Sequence, residues 1–253
     1  MAKRSEADKQ KFMHWNYAHR GLYTKDQSIP ENSLAAFRRA AEKGYGVELD
    51  VQLSDDGQVM VFHDDNLKRM CGKDEKIWNL TFDELRELNL AGTDEKIPLF
   101  SEVLQVLKDN EGPLIVELKN GPRNDELCMK TALLLQDYPG TFCIESFNPF
   151  IVNWFRGQIP EIFRGQLASG YESYSRYPKF FAKMLYAGRF SFINKPDFIA
   201  YNHQYPIPKH IQKLRKKGAL LVAWTSRDPE QAEEVQNNFD AVIFEHYEPA
   251  SKY

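Results

Sequence analysis

Residues 46–53 read Gly46-Val47-Glu48-Leu49-Asp50-Val51-Gln52-Leu53. Side chains alternate across a strand, so Val47, Leu49 and Val51 share one face and Glu48, Asp50 and Gln52 the other. If the apolar face packs against helices, as in a barrel, two carboxylates point inward. Two like charges on a half-buried face are unfavourable unless something positive sits between them. The plain alternative is ordinary alternation on a half-exposed strand, and this segment alone does not choose.

Moving outward, short apolar runs recur at 16–20, 113–119, 141–147, 162–167, 197–201, 219–224 and 241–244. Segments of helical period lie between them, at 33–43, 100–110, 125–138, 149–158, 208–217 and 229–237. Leu34, Phe37 and Ala41 mark the first of these, and Gly44 closes it. Eight strands, most followed by a helix, predict an α/β chain folded as a TIM (β/α)8 barrel. A doubly wound open sheet would give a similar alternation. No repeat or linker divides the 253 residues, so one domain is expected over 1–253. The first dozen residues read as a frayed lead-in.

Two connections exceed plain loops. Residues 54–99, after the second strand, hold a hairpin signal at Asp56-Gly57 and a short helix near Thr81–Asn89. Residues 169–196, after the fifth strand, are aromatic and basic, with five Lys or Arg against one acid.

With 42% hydrophobic residues, the chain reads as a soluble globular protein. Its net charge of -3 gives no overall attraction to nucleic acid or an anionic membrane, so any basic surface must be local. Cys71, Cys128 and Cys143 lack zinc or disulfide spacing and fit a reducing compartment. The charged N-terminus lacks a signal-peptide core, and no apolar run is long enough to span a bilayer. A cytoplasmic protein is expected.

The third strand strengthens the case made by the second. Ile115-Val116-Glu117-Leu118-Lys119 again places two charges, Glu117 and Lys119, on one face. Three carboxylates suit a hard divalent cation. Lys119 and Arg20 suit a phosphate. A Glu–Lys pair bridging adjacent strands is the plain alternative. His19 and His63 end separate strands, and two imidazoles can serve as general base and general acid. Lone histidines are more often structural. Asp64 and Asp65 read first as turn residues, with orientation of a histidine as the other reading. Asn32 or Ser33 suits an N-cap, whereas capping leaves Glu31 unexplained.

Several motifs occur in order: His19-Arg20-Gly21, Pro30-Glu31-Asn32-Ser33, Val47-Glu48-Leu49-Asp50-Val51, Asp56-Gly57, Val61-Phe62-His63-Asp64 and Val116-Glu117-Leu118-Lys119. Glu145-Ser146-Phe147-Asn148, Arg164-Gly165-Gln166-Leu167 and Ala223-Trp224-Thr225 follow. The ordered set resembles the glycerophosphodiester phosphodiesterase family across nearly the whole chain. That resemblance implies a TIM barrel and hydrolysis of a glycerophosphodiester to an alcohol and sn-glycerol 3-phosphate. It implies that Glu48, Asp50 and Glu117 bind the metal, Mg²⁺ or Ca²⁺. His19 and His63 would be the acid–base pair, and Arg20 and Lys119 would hold phosphate. Glu31 would lie near the metal or the histidines, and Trp224 would line the pocket or pack in the core. Two positions depart from the pattern, Arg69-Met70 and Phe244-Glu245.

Three rival readings stay open: a lysophospholipase D-like enzyme, a phospholipase C-like enzyme and a non-catalytic phosphate-binding module. The expected partner is a small glycerophosphodiester, with no nucleic acid. The sequence leaves oligomeric state undetermined. Residues 169–196 are either a packed rim helix with a solvated basic face or a site of peripheral membrane contact.

Overall fold

The computed structural model describes residues 4–175 and 178–253. Helix α1 (Glu6–Gln10) comes first, so the expected frayed lead-in is corrected there. Ser5 caps it by accepting from the Asp8 amide. Arg4 anchors it, donating to Asp197 at 2.9 Å and to the carbonyls of Pro160 and Ile162. Asp197 is buried, so this pair works where solvent screening is weak.

Contacts group the chain into two units, Tyr17–Phe142 and residues up to Asn16 together with Cys143–Tyr253. The first runs β1 (Asn16–Ala18), α2 (Leu34–Glu42), β2 (Gly46–Leu53), β3 (Val59–Val61), α3 (Lys68–Cys71), α4 (Phe82–Arg86), α5 (Phe100–Leu107), β4 (Leu114–Leu118) and α6 (Asn124–Gln136). Strand β2 pairs in parallel with β1 and β4, and β3 folds back antiparallel on its end. The second unit runs β5 (Phe142–Ser146), α7 (Pro149–Gln158), β6 (Phe163–Ala168), α8 (Lys179–Tyr186), α9 (Ser191–Asn194), β7 (Phe198–Asn202), α10 (Lys209–Lys216), β8 (Leu220–Ser226), α11 (Ala232–Asn238) and β9 (Ala241–Phe244). Its strands pair in parallel in chain order. Eight parallel strands alternating with helices make this the TIM (β/α)8 barrel fold, and β3 belongs to the first insertion.

All eight residues of β2 are buried, which removes the half-exposed alternative for that strand. The first strand is shorter than expected and ends at Ala18. His19 and Arg20 lie in the turn beyond it, because Arg20 (φ 53°) and Gly21 (φ 78°) both take the left-handed region. A Cβ on Gly21 would meet the Ala36 backbone carbon at 2.9 Å, so the turn needs glycine for space as well as for φ.

The first insertion has its own small core, including Leu67, Met70, Ile77, Leu85 and Ile97. Its hairpin turns at Asp56-Gly57, with Gly57 at φ 78°. The expected helix is α4, closed at its start by a capping box between Thr81 and Glu84. The insertion after β6 holds a 3-10 turn at Tyr171–Tyr174, then α8 and α9, packed around Tyr174, Ala182 and Leu185. The sequence reading of this insertion extends over residues 176 and 177, which lie outside the described residues. No described helix is long and apolar enough to cross a membrane.

Ser33 is the N-cap of α2, accepting from the Ala36 amide at 3.1 Å and donating to the Pro30 carbonyl at 2.7 Å. It is fully buried, so its loss strands two polar groups away from water. Ser33→Ala should lower unfolding free energy by about 1–2 kcal/mol, measured by urea titration. No change would show that the cap does not hold the loop before α2.

Candidate active site

The site follows from strand register. Asp50 on β2 pairs directly with Glu117 on β4. Side chains at paired positions of parallel strands share a face, and Glu48 lies two residues back on the same face. Carboxylate atoms of Glu48, Asp50 and Glu117 all lie within 4.8 Å of one another, and all three residues are buried. Ala18 pairs with Val47, so the chain leaves β1 beside Glu48. The Arg20 amide then donates to Glu48 Oε2 at 3.1 Å, and His19 Nε2 lies 3.9 Å from the same oxygen.

Cations surround this acidic group. Lys119 Nζ lies 2.9 Å from Glu117 and 3.3 Å from Asp50. The Arg20 Nε lies 3.5 Å from Asp50. Burial opposes the Asp50 charge, but Lys119, His63 and Arg20 outweigh it and hold the carboxyl far below its usual range. Glu117 goes the other way: burial raises its pKa, with the nearby Asp50 charge adding to the effect, despite Lys119. Burial also opposes the charges of Lys119 and Arg20, yet the carboxylates keep both firmly protonated.

Glu31 lies among arginines. Its carboxylate accepts from Arg20 Nη1 at 2.6 Å and from Arg69 at 2.7 and 2.9 Å. Those bonds outweigh burial and hold its pKa down. Arg69, a position where the sequence departs from the family pattern, is therefore part of the site's surroundings. It also grips Asp64 at 2.6 Å. Asp64 in turn meets His63 Nδ1 at 2.7 Å. Burial is more than offset by His63 and Arg69, so Asp64 stays ionised well below the usual carboxylate range. An ionised carboxylate only accepts, so His63 Nδ1 donates. The reading of Asp64 first as a turn residue is corrected: it orients the imidazole and directs Nε2 away from itself.

Two further residues have site roles that the sequence reading missed. Asn32 is not the cap; at φ 56° it turns its amide to donate to Asp50 Oδ2 at 2.9 Å. Gln52 donates to the carbonyls of Phe62 and Asp64, at 2.8 and 2.9 Å, and so fixes the backbone on either side of His63. Alternation had placed Gln52 on the carboxylate face, which was the available signal. A shallow surface depression reaches Lys119 and Gln52, with Trp78 and Arg123 in its wall.

Trp224 belongs to the other unit. It is half-buried on β8, edge-on to Phe147 with ring centroids 5.6 Å apart. Glu245, at the second departure from the family pattern, is buried and pairs with Arg227.

The model of the glycerophosphoryl diester phosphodiesterase family matches residues 19–248. The chain belongs to that family. A glycerophosphodiester phosphodiesterase of Caldanaerobacter subterraneus subsp. tengcongensis is 28% identical over 250 residues, covering 89% of this chain and 91% of its own. The solved structure of an Oleispira antarctica phosphodiesterase, in complex with the product sn-glycerol-3-phosphate, superposes with a TM-score of 0.78 at 26% identity. It covers 93% of this chain and 94% of its own. A lysophospholipase D of Rattus norvegicus is 33% identical over 143 residues, covering 51% of this chain and 43% of its own. Membership in the glycerophosphoryl diester phosphodiesterase family makes the chain a phosphodiesterase and supports a small-molecule substrate.

The three carboxylates fit a hard divalent cation by donor chemistry and by spacing. Their electrostatics fit it too, since Glu117 resists ionisation despite having a lysine beside it. A raised carboxyl pKa means that the folded state binds this proton more tightly than the unfolded state does. In metal-free protein its contribution is therefore lost as pH rises through that pKa, whereas a cation needs the ionised form. Divalent cation should raise the thermal midpoint more at pH 8 than at pH 5. Glu117→Gln should abolish that gain without lowering the midpoint measured in chelator. Equal cation stabilisation in the variant and the parent would remove Glu117 from the ligand set.

Proposed function

We propose that this chain hydrolyses glycerophosphodiesters to an alcohol and sn-glycerol 3-phosphate, with a divalent cation and two histidines. The observation that carries the reading is the buried group of three carboxylates, flanked by His19 and by a His63 held through Asp64.

In this reading Glu48, Asp50 and Glu117 hold the cation. Mg²⁺ or Ca²⁺ bound there would polarise a phosphate oxygen and offset the charge that develops on it. Arg20 and Lys119 add positive charge for the phosphate, and both already face carboxylates of the same cluster. One histidine takes a proton from the nucleophile, either water or the glycerol 2-hydroxyl. The other returns a proton to the alkoxide as its bond to phosphorus breaks. Water as nucleophile gives sn-glycerol 3-phosphate directly, whereas the 2-hydroxyl gives a cyclic phosphate that water then opens, with the same two histidines exchanging roles. His63 suits such a transfer because Asp64 fixes Nδ1 as the donor, leaving Nε2 as the basic nitrogen of the neutral ring. Glu31 and Arg69 are positioning residues: they brace Arg20 on one side and Asp64 on the other.

A second reading is favoured by the similarity to the rat lysophospholipase D. The same groups would then cleave the head-group alcohol from a lysophospholipid, leaving lysophosphatidic acid. The chemistry at phosphorus is unchanged, and only the glycerol substituent differs.

His19→Ala and His63→Ala should each lower kcat on glycerophosphocholine by about a hundredfold or more, with glycerol 3-phosphate as the product of the parent enzyme. Near-normal turnover in both variants would sink the acid–base assignment. Lysophosphatidic acid formed in preference to glycerol 3-phosphate, when both substrates are offered, would select the second reading. Chelation should silence the parent enzyme, and added Mg²⁺ or Ca²⁺ should restore it.

A further inference from the structure

Exposed aromatic rings gather on one part of the Cys143–Tyr253 unit. Phe180 at the start of α8 is 78% exposed, Phe192 on α9 is 67% exposed and Phe150 on α7 is 58% exposed. Half-buried rings join this area together. Phe190 lies 6.1 Å from Phe150 and 5.1 Å from Phe181, ring centre to ring centre. Beneath them Ala182 and Leu185 are buried, so α8 is anchored through one face and presents the other outward. Burying three phenylalanines would favour folding, yet these remain in water. Exposed apolar groups concentrated in this way mark a contact surface.

The charges beside them have one sign. Lys179 and Lys183 are exposed on α8, one helical turn apart, and Arg189 is exposed before α9. Among the described residues none of the three has a carboxylate within 4 Å. The patch continues onto α10. His210 Nε2 meets Ser191 Oγ at 2.8 Å, tying α10 to α9. Burial lowers the His210 pKa, and Arg189, Lys213 and Lys217 lower it further, so these cations crowd one place. The whole chain carries -3, so this is a local inversion of charge. A packed rim helix with a solvated basic face accounts for the lysines but not for the phenylalanines between them.

We infer that the face built from the start of α7, α8 and α9, with the basic flank of α10, docks on an anionic phospholipid surface. The phenylalanines enter the acyl boundary while the lysines and arginine meet lipid phosphates, the two-part composition of interfacial helices. Each basic group near an anionic leaflet adds attraction that salt screens. The surface supplies binding and stands apart from the hydrolysis proposed above. If that hydrolysis extends to lysophospholipids, docking brings the enzyme to its substrate.

Co-sedimentation with vesicles tests the inference. The probes are vesicles of phosphatidylcholine alone and of phosphatidylcholine with an equal share of phosphatidylglycerol. The full chain should sediment with the anionic vesicles, bind the neutral ones far less and dissociate as salt rises. Phe180→Ser with Phe192→Ser, and separately Lys179→Glu with Lys183→Glu, should each weaken partition by about tenfold. Both pairs should keep the parent's thermal midpoint. Failure of the parent to bind anionic vesicles would overturn the proposal, as would equal binding to neutral vesicles or binding unaltered by both variant pairs. The salt arm needs no variant, so it decides even if a substitution disturbs folding. No arm reads hydrolysis, so a wrong substrate assignment would leave these outcomes interpretable.

Discussion

Three carboxylates within 4.8 Å of one another, inside the protein, are the constraint to which the Tyr17–Phe142 unit answers. Like charges at that spacing repel strongly wherever water is excluded. The cations and the amide donor around them answer that repulsion. Lys119 spans Asp50 and Glu117, Arg20 leans on Asp50 while gripping Glu31, and the Asn32 amide turns to Asp50. The compensation is uneven. Asp50 is held ionised, whereas Glu117 is held back from ionising. The cluster is thus still short of positive charge, as expected of groups that serve a bound cation better than they serve stability.

The first insertion has a related part. Its small core gives α3 a fixed place, and α3 carries Arg69 to both Glu31 and Asp64. Two loops from different strand ends, Pro30–Ser33 and His63–Asp64, are thereby joined through one guanidinium. Planar, bidentate donors suit that task better than a lysine would. Gln52 adds a second restraint by bonding the carbonyls on both sides of His63. The imidazole is therefore fixed by ring, backbone and counter-charge together.

Much of this was legible in the sequence where a simple period governs it. Glu48, Asp50 and Glu117 follow strand alternation, and the register that pairs Asp50 with Glu117 brings them together. Ser33 and the Asp56-Gly57 turn follow local rules of capping and backbone space. Arg69 and Asn32 were illegible for a physical reason. Each is a polar residue at a turn or short helix, where its local explanation already suffices, and the carboxylate that gives it meaning, Glu31 or Asp50, lies 38 or 18 residues away. Asp64 was legible only as one of two readings, because a turn explains it as well as its neighbour His63 does. Arg20 shows the same limit for backbone: nothing about an arginine announces φ 53°, so β1 was read two residues too long. The α1 lead-in was misread because the group that anchors it, Asp197, lies 193 residues away from Arg4.

The double grip of Arg69 has a consequence for how such a chain can change. Because one side chain ties the 54–99 segment to Glu31 outside it while also holding Asp64 within it, that segment is not an interchangeable module. A homologous insertion transplanted without an equivalent arginine would leave Glu31 held by Arg20 alone and a carboxylate at position 64, if retained, without its guanidinium. Swaps that keep Asp64 and Arg69 together preserve the tie, and swaps that cut between them inherit an electrostatic debt at the histidine. Residues 63–69 and Glu31 thus act as one electrostatic unit drawn from two separate loops.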